Sequence, residues 1–490
     1  MRDPLDGDWD AEAYWSTEQV GEAVPGVLTP LTWSLWRRGG EAGLRAALVA
    51  TGALERRRAG VPRRERDRVL GVFHGRLAVN ADRTARRSGI ALAQPRAAAS
   101  SPRDVRALAE GTASWWAGHV ARAPGLDRDA ARALWGLAAD RFAHAMTTHL
   151  VCVFAAVRPV QDGLARLCDA ADRPELAPRL TAGLGGHLEL DVVSGLWDLA
   201  HGRASETEFL AAHGFAGPGE LAARVWREEP TAATELAAAY GAASAGPADL
   251  LRLRAMEREI AERQLREALP TWQQAPARAL LLTAERVLPL RGLGKAGYLR
   301  VLDVARAAAR RNGELLAAAG FLDDPEDVFL LTAEEMCADV PRQGLVADRR
   351  ARRAEHLAVA LPPRWRGRPV PVPVTSSPVS TGTVLRGLGV SSGLAEGRAR
   401  VVTDARDAAV GPGEILVAPD PDPSWAPVLF PAAGLVVDNG GTHSHAAVLA
   451  RELSLPCVMG TGDGTRRLRT GDLLRVDGHS GRVEVVGVAP

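Results

Sequence analysis

Two histidines, His443 and His445, lie one residue apart in a glycine-rich segment, DNGGTHSHAAVLAREL, at residues 438–453. Gly440 and Gly441 precede them, and a run of good helix formers follows. Helix N-termini present unpaired N–H groups and the positive end of a dipole, and glycines let the backbone approach an anion closely. A neutral imidazole is nucleophilic near neutral pH. The pattern favours a loop that stabilises a phosphohistidine, and a buried turn with a structural histidine is the alternative.

The residues from 434 to 460, GLVVDNGGTHSHAAVLARELSLPCVMG, resemble the phosphohistidine signature of the phosphoenolpyruvate-utilising enzymes, which include phosphoenolpyruvate synthase, pyruvate phosphate dikinase and rifampin phosphotransferase. In that signature, two glycines and two variable residues precede a small residue, the phosphorylated histidine, an alanine or glycine, and a helix. The resemblance implies that His445 carries the phosphoryl group. It also implies a set of residues that support the phosphate, namely Gly440, Gly441, Thr442, His443 and Ser444.

His443 is a departure from the signature, because the family often has threonine at this position. Its imidazole could donate a hydrogen bond to the phosphate, or it could itself be the phosphorylated residue. Between the two histidines, the resemblance favours His445.

Three stretches before the signature resemble the helical substrate-binding domain of rifampin phosphotransferase-like proteins: residues 14–36, 213–230 and 320–335. The resemblance therefore covers nearly the whole chain. It implies that this domain binds a small-molecule acceptor through a hydroxyl group. The candidate acceptor-site residues are His213, as a general base, with Glu220 and Arg227.

Phe215 and Ala216 depart from the family pattern in this region. They stand where histidine and arginine are usual in the HGHRGPGE-like motif. If those polar groups bind or activate the acceptor in relatives, the departure predicts that acceptor chemistry here is altered or lost.

The sequence pattern changes twice along the chain. Residues 1–360 are mostly helical in pattern, as in 297–319, where apolar residues recur at steps of three and four, and the apolar run at 326–332 is strand-like. Residues 361–382 contain six prolines and predict an extended linker, with an ordinary surface loop as the alternative. Residues 383–490 contain short valine-rich runs bounded by Gly, Pro and Asp.

These changes predict a multidomain protein. The predicted strands of the last domain are 397–402, 414–418, 434–438, 456–460, 473–478 and 481–487, with one clear helix at about 444–453. The resemblance implies a mostly α-helical substrate-binding domain followed by a C-terminal β/β/α swivelling phosphohistidine domain.

A nucleotide site is not evident in the sequence. Three-domain relatives begin with an ATP-grasp domain that phosphorylates the histidine, and neither that domain nor the phosphoenolpyruvate barrel is recognisable here. The segment 292–297, which contains Lys295, the one lysine of the chain, lacks the spacing of a phosphate-binding loop. We therefore expect a separate ATP-grasp protein to bind ATP and Mg²⁺ and to phosphorylate His445.

Composition excludes several other classes of protein. The net charge of +1 gives no basic footprint for nucleic acid. The four cysteines are widely spaced and predict neither a metal site nor a disulfide framework. The N-terminus has no signal-peptide pattern, and no apolar run is long enough to span a membrane. We expect a cytoplasmic protein.

Two rival functions stay open at this point. The chain could be a non-catalytic scaffold or regulator that has lost transfer, which Phe215 and Ala216 favour and the intact GGTHSHAA loop disfavours. It could also be a phosphocarrier that delivers to another protein. The sequence does not specify the acceptor, the nucleotide-binding partner or the oligomeric state.

Overall fold

The computed structural model describes most of the chain. The described residues are 3–7, 9–17, 20, 23–24, 26–84, 95–184, 188–241, 246–338, 340, 342–373, 379–403, 410–421, 425–441 and 444–489. The chain divides into two compact units. The first unit contains Met1–Leu188, Gly219–Arg224 and Ile260–Pro373. The second unit contains Glu189–Pro218, Val225–Glu259 and Val374–Pro490.

Seventeen α-helices occur in the described residues. They are α1 (Pro30–Ala50), α2 (Ala81–Thr84), α3 (Pro95–Arg122), α4 (Arg128–Cys152), α5 (Arg158–Ala170), α6 (Leu176–Thr181), α7 (Leu188–Ala200), α8 (Glu206–His213), α9 (Pro230–Tyr240), α10 (Pro247–Ala268), α11 (Thr271–Val287), α12 (Leu290–Ala318), α13 (Ala333–Met336), α14 (Gln343–Leu357), α15 (Ala426–Leu429), α16 (His445–Glu452) and α17 (Gly464–Arg467). None of the helices in this part of the chain is both long enough and apolar enough to cross a bilayer.

Fourteen strands accompany these helices in the same residues. They are β1 (Tyr14–Ser16), β2 (Leu70–Phe73), β3 (Arg76–Asn80), β4 (Val359–Ala360), β5 (Arg364–Arg366), β6 (Val372–Pro373), β7 (Val384–Arg386), β8 (Leu388–Ser391), β9 (Leu394–Val401), β10 (Ile415–Ala418), β11 (Gly434–Val437), β12 (Cys457–Met459), β13 (Leu473–Asp477) and β14 (Arg482–Gly487). The predicted fold class is confirmed: a mostly helical region precedes a C-terminal sheet domain.

Helix α12 forms the centre of the first unit, where it packs against α3 and α4. Its glycines allow this close approach. A Cβ added at Gly294 would lie 2.7 Å from Nδ1 of His149, and one added at Gly297 would lie 2.8 Å from Cγ of Leu108. The glycines around Lys295 therefore belong to a helix that other helices contact closely, and not to a loop.

The apolar run at 326–332 was predicted as a strand, and this prediction is wrong. Pro325–Leu330 form a 3₁₀ helix, which Asp324 caps by accepting a hydrogen bond from the backbone N–H of Glu326 at 2.9 Å. Proline at the first helical position and aspartate before it favour a helix start. A short run of consecutive apolar residues has no period of its own, so these local start signals decide its conformation.

Part of the predicted linker at 361–382 is a strand. β5 pairs antiparallel with β1, in a sheet of order β2-β3-β1-β5. Trp365 on β5 is 8% exposed and packs in an aromatic cluster with Trp15 and Phe73. Residues 374–378 of the predicted linker lie outside the described residues.

The second unit contains one eight-stranded sheet of order β7-β14-β13-β9-β10-β11-β12-β8. Strands β9, β10, β11 and β12 are parallel, and their neighbours are antiparallel. Every residue of β10, β11 and β12 is buried, as expected for parallel strands covered on both faces. The six predicted strands and the predicted helix at 444–453 are confirmed, while β7 was not predicted.

The boundary between the units differs from the predicted domain boundary. Residues 189–218 and 225–259 group with the C-terminal sheet, and not with the other helices. The fully buried Tyr240 of α9 explains part of this grouping. Its hydroxyl donates to the carbonyl of Pro427 at 2.8 Å, and its ring stacks on Phe430 with centroids 4.9 Å apart.

Arg254 of α10 makes two hydrogen bonds at the C-terminal end of α16, within the second unit. Nε of Arg254 donates to the carbonyl of Glu452 at 3.1 Å, and its Nη2 donates to Oγ of Ser454 at 2.8 Å. Glu452 is the last residue of α16, so the guanidinium satisfies a carbonyl that no later turn of that helix can bond.

Candidate phosphohistidine site

The glycine-rich loop lies at the carboxyl edge of the parallel strands. β11 ends at Val437, and the next residue, Asp438, donates its backbone N–H to the carbonyl of Ala418 at the end of β10, at 3.1 Å. The backbone N–H of Asn439 donates to the carbonyl of Pro419 at 3.0 Å. In open parallel sheets, the carboxyl edge is where ligands bind, because loops and helix N-termini meet there.

The two glycines of the loop have different structural roles. Gly440 has a φ of 120°, in the region that favours glycine, and a Cβ added there would lie 2.7 Å from Cε of Met459. An added Cβ at Gly441 would meet no atom of the described residues within 4 Å. The backbone conformation therefore requires glycine at 440, whereas no described residue restricts a side chain at 441.

Ser444 fixes the start of α16. Its backbone is extended, and its Oγ accepts a hydrogen bond from the backbone N–H of Ala447 at 3.3 Å. The same Oγ lies 3.3 Å from Sδ of Met459, to which it donates. His445 is the first residue of the helix, so the predicted nucleophile stands where backbone N–H groups and the positive end of the dipole favour an anion.

Three parts of the predicted site lie outside the described residues. They are Thr442, His443 and the side chain of His445. The backbone on both sides of this gap is described, and Gly440, Gly441 and Ser444 lie at the N-terminus of α16.

Asp438 is a site residue that the sequence analysis missed. Its carboxylate is 5% exposed and accepts hydrogen bonds from Oγ1 of Thr461 at 3.2 Å, from the backbone N–H of Thr465 at 3.1 Å and from the Thr465 hydroxyl. Burial raises the pKa of this carboxyl, and the hydrogen bonds from Thr465 and Thr461 partly oppose the shift. An acidic residue directly after a buried strand was the available signal.

The carboxylate of Asp438 positions the segment 460–466 beside the glycine-rich loop. The backbone N–H of Gly462 donates to the carbonyl of Asp438 at 3.0 Å. A Cβ added at Gly464 would lie 2.9 Å from Oδ1 of Asp438. The loop at 438–441 and the segment at 460–466 therefore form two neighbouring walls at the carboxyl edge of the sheet.

Glu220, a predicted acceptor-site residue, lies in the first unit. Its carboxylate accepts from the backbone N–H of Thr29 at 3.1 Å, from Oγ1 of Thr29 at 2.6 Å and from Oγ1 of Thr32 at 2.6 Å. Thr29 is the N-cap of α1. The carboxylate therefore stabilises the N-terminus of this helix, a structural role that a negative charge performs well.

His213 and Arg227, the other two candidates, lie in the second unit. The ring of His213 lies so close to Gly195 that an added Cβ there would be 2.7 Å from its Cδ2. Nη2 of Arg227 lies 3.2 Å from Oε1 of Glu228. The backbone N–H of Arg227 donates to the carbonyl of Gly214 at 3.0 Å, so these two segments are adjacent.

Phe215 and Ala216 are both buried, at 1% and 7% exposed. A histidine or an arginine buried at these two positions would require hydrogen-bond partners, which the apolar side chains do not need. Among the described residues, no group of three or more His, Cys, Asp or Glu side chains could hold a metal ion.

Residues 410–481 match the family described as PEP-utilising enzyme, mobile domain. Over these residues, the chain is similar to the PEP-utilising mobile domain. The match contains the glycine-rich loop, Ser444, α16 and the segment 460–466.

Curated relatives match a larger part of the chain. A rifampicin phosphotransferase of Streptomyces sviceus is 40% identical over 190 residues, which are 37% of this chain and 22% of that protein. A rifampicin phosphotransferase of Bacillus subtilis is 34% identical over 203 residues, 39% of this chain and 23% of that protein. An uncharacterised protein of Mycobacterium tuberculosis is 38% identical over 216 residues, 44% of this chain and 25% of that protein. The chain thus spans about a quarter of the length of these relatives.

Among solved structures, the NMR solution structure of Enzyme I covers 66% of this chain and 78% of its own, at 14% identity. The TM-score of 0.17 is too low for an argument about the fold of the whole chain.

Proposed function

We propose that this chain is a phosphotransferase component that carries a phosphoryl group on His445 to a hydroxyl of a small molecule. The observation that carries the proposal is the backbone at the carboxyl edge of the sheet, where Gly440, Gly441 and the N-cap Ser444 lead into α16. The mobile-domain match and the rifampicin phosphotransferases among the relatives support the same reaction class.

The reaction has two transfers. In the first, an imidazole nitrogen of His445 attacks the phosphorus of the donor, a P–N bond forms, and the P–O bond to the nucleotide breaks, so that the nucleotide leaves with the bonding electron pair. In the second, the acceptor oxygen attacks the same phosphorus, the P–N bond breaks, and the hydroxyl proton leaves to the released imidazole or to solvent. The N–H groups at the start of α16 stabilise the charge of the phosphoryl group between the two steps.

We propose that the donor site lies outside these 490 residues, on an ATP-grasp protein that holds ATP and Mg²⁺. The segment around Lys295 supports this, because Gly292, Gly294 and Gly297 are buried within the continuous helix α12. The backbone N–H groups of Gly294 and Gly297 lie beyond the first turn and bond within the helix, so they cannot cradle a phosphate together. A tethered domain can connect two distant sites at high effective concentration.

Two candidates exist for the molecule that accepts the phosphoryl group, and specific observations favour the second. Phe215 and Ala216 are buried apolar residues, and the carboxylate of Glu220 is bonded to α1. These observations favour a phosphocarrier that delivers to another protein as the second candidate. A hydroxyl-bearing small molecule stays the first candidate because of the rifampicin phosphotransferases among the relatives.

Labelling with ATP tests the carrier step. The purified chain is incubated with ATP labelled at the β- and γ-phosphates, alone and with a candidate ATP-grasp protein, and acid-labile label on the chain is measured. Label only in the presence of the partner supports the proposal. Label on the chain alone would contradict an outside donor, and no label with an active partner would contradict the carrier role.

Two histidine variants test the assigned residue. We expect His445→Ala to abolish the label and His443→Ala to retain most of it. The opposite result would transfer the assignment to His443. Release of label to a small hydroxyl compound or to a protein then separates the two candidate acceptors.

A further inference from the structure

The loop between α1 and β2 carries a cluster of exposed arginines. This basic loop, residues 55–68 (ERRRAGVPRRERDR), contains seven arginines and three acidic residues, a net charge of +4, whereas the net charge of the whole chain is +1. Six of the arginines are exposed, namely Arg56, Arg57, Arg58, Arg63, Arg64 and Arg66. Within the described residues, Arg57 pairs with Glu55, and the other five exposed side chains form no ion pair or hydrogen bond.

A second arginine-rich run in the same unit, residues 349–353 of α14, shows how arginines are used within the fold. Each of its four arginines bonds to another group: Arg349 to Glu335, Arg350 to Asp327, Arg352 to Glu355 and Arg353 to the carbonyl of Val27. The basic loop is as rich in arginine but lacks such bonds. Its guanidinium groups are therefore available to a partner.

A buried ion pair beneath the basic loop fixes its two ends. Oε1 of Glu41 lies 3.3 Å from Nη1 of Arg45, one turn later on α1, and both side chains are buried. Nε of Arg45 donates to the carbonyl of Arg58 at 2.9 Å. The carboxylate of Glu41 accepts from the backbone N–H groups of Val69 at 3.0 Å and Leu70 at 2.7 Å. The start and the end of the loop therefore meet over one ion pair.

The middle of the basic loop is also held. Nε of Arg68 donates to the carbonyl of Pro62 at 3.2 Å, which draws the centre of the loop back to its end. Two 3₁₀ turns, Arg56–Arg58 and Glu65–Asp67, order the backbone between these points. A loop whose backbone is fixed presents its charges at a lower entropic cost of binding.

The composition of the basic loop favours an acidic protein surface over nucleic acid or a membrane. Glu55, Glu65 and Asp67 would repel a continuous row of phosphates, whereas a protein surface can place basic groups opposite them. The loop has no aromatic residue that could stack on a base or anchor in a headgroup layer. Arginine is enriched at protein interfaces, and Val61, 38% exposed, offers an apolar contact at the centre of the loop.

We propose that the basic loop is the docking surface for the protein that phosphorylates His445, and that this protein presents an acidic surface to it. The proposal rests on the proposed function, which requires a protein partner that holds ATP. Complementary charge increases the rate at which such partners associate, and it leaves the chemical step unchanged. Loss of the docking surface should therefore raise the KM for the chain and not lower kcat.

The experiment measures the rate at which a catalytic amount of the ATP-grasp donor labels the full-length chain, as a function of chain concentration. We expect the double variant Arg63→Glu/Arg64→Glu to raise the KM about tenfold at low salt, with kcat within about twofold of wild type. The matched control, Arg106→Glu/Arg278→Glu, reverses the same number of charges at exposed positions of α3 and α11, and should leave the KM within about twofold. Equal melting temperatures of both variants and wild type would verify that the fold is retained.

Added salt distinguishes docking through charge from a changed loop structure. As the ionic strength rises from about 0.05 M to about 0.5 M, screening should bring the KM values of wild type and loop variant together. Equal KM values at low salt would overturn the proposal, as would an equal rise in the loop variant and the control variant.

Two further outcomes separate this inference from its alternatives. If wild type binds a single-stranded oligonucleotide or phosphatidylserine vesicles, and the loop variant loses that binding but keeps the KM of wild type, the loop serves another partner and the proposal is wrong. If an active donor does not label wild type, the proposed function fails and this inference with it. If wild type and loop variant are labelled with the same KM, only this inference fails.

Discussion

The glycine-rich loop and the motif at 213–229 differ in what their polar groups do. In the loop, no described residue lies within 4 Å of a Cβ added at Gly441, and the helix begins with N–H groups at the predicted nucleophile. In the motif, the carboxylate of Glu220 is bonded to Thr29 and Thr32, and the ring of His213 packs on Gly195. The loop keeps donors available at a sheet edge, whereas the motif uses its polar side chains within the fold.

This difference shows that residue types alone do not identify a site. Histidine, glutamate and arginine are typical of acceptor activation, but each also makes structural bonds. The loop needs few side chains, because backbone groups at a helix N-terminus bind an anion without them. A backbone site is therefore less easily lost by substitution than a side-chain site, provided that its glycine is kept.

The largest expected effect is that of Gly440→Ala. The backbone there has a φ of 120°, and the new Cβ would approach Met459, so we expect a loss of about 1–3 kcal/mol in the free energy of unfolding and much less label on His445. Calorimetry of the full-length chain and labelling measure the two effects. Gly441→Ala is the matched control, with an expected change within about 0.5 kcal/mol. Equal effects of the two variants would contradict the different roles of the glycines.

A smaller effect is expected from Glu220→Gln in the other region. It weakens the bonds to Thr29 and Thr32, so we expect the protein to lose about 1–2 kcal/mol of stability while the rate of His445 labelling is unchanged. Glu235→Gln, at an exposed position on α9, should change stability by under about 0.5 kcal/mol. A variant at 220 of normal stability that fails to transfer label to an acceptor would show that the carboxylate is part of the acceptor site after all.

The smallest effect concerns pH. The pKa of Asp438 is raised in the folded state, so the folded protein takes up this proton first as the pH falls. The contribution of this carboxyl to stability therefore increases on acidification, from above the folded pKa down to the ordinary value near 4.

We expect Asp438→Asn to abolish this pH-dependent contribution, because the amide does not titrate. The measurement is the difference in melting temperature between wild type and variant from pH 7 to pH 4. A difference that does not change with pH would show that the carboxyl has the same pKa in the folded and unfolded chain, and that the bonds from Thr461 and Thr465 fully offset its burial.

Several features of the fold could be predicted because the signals are local. The valine-rich runs between Gly, Pro and Asp gave six strands of the C-terminal sheet, since fully buried parallel strands read as continuous apolar runs. The start of α16 followed from Ser444 and the alanines after it. Pro325 and Asp324 carried a helix signal that the apolar run concealed, and the aromatic Trp365 gave no sign that it would pack against β1.

Other features depend on residues that are distant in sequence. The role of Asp438 arises because β11 and β12 are neighbours, which brings the segment after each strand to the same edge of the sheet. The grouping of residues 225–259 with the C-terminal domain depends on contacts such as those of Tyr240 with Pro427 and Phe430. A sequence pattern does not show which distant residues come into contact.

The sequence by itself determined the phosphohistidine signature, the helix that follows it and most of the strands that support it, because glycine, serine and apolar runs act on the backbone near them. Only the tertiary structure decided that Gly440 is required by the backbone, that Glu220 stabilises α1, and that the segment 460–466 lies beside the loop. The physical reason is that hydrogen bonds, steric contacts and burial depend on which segments are neighbours in the fold, and the strand order determines those neighbours.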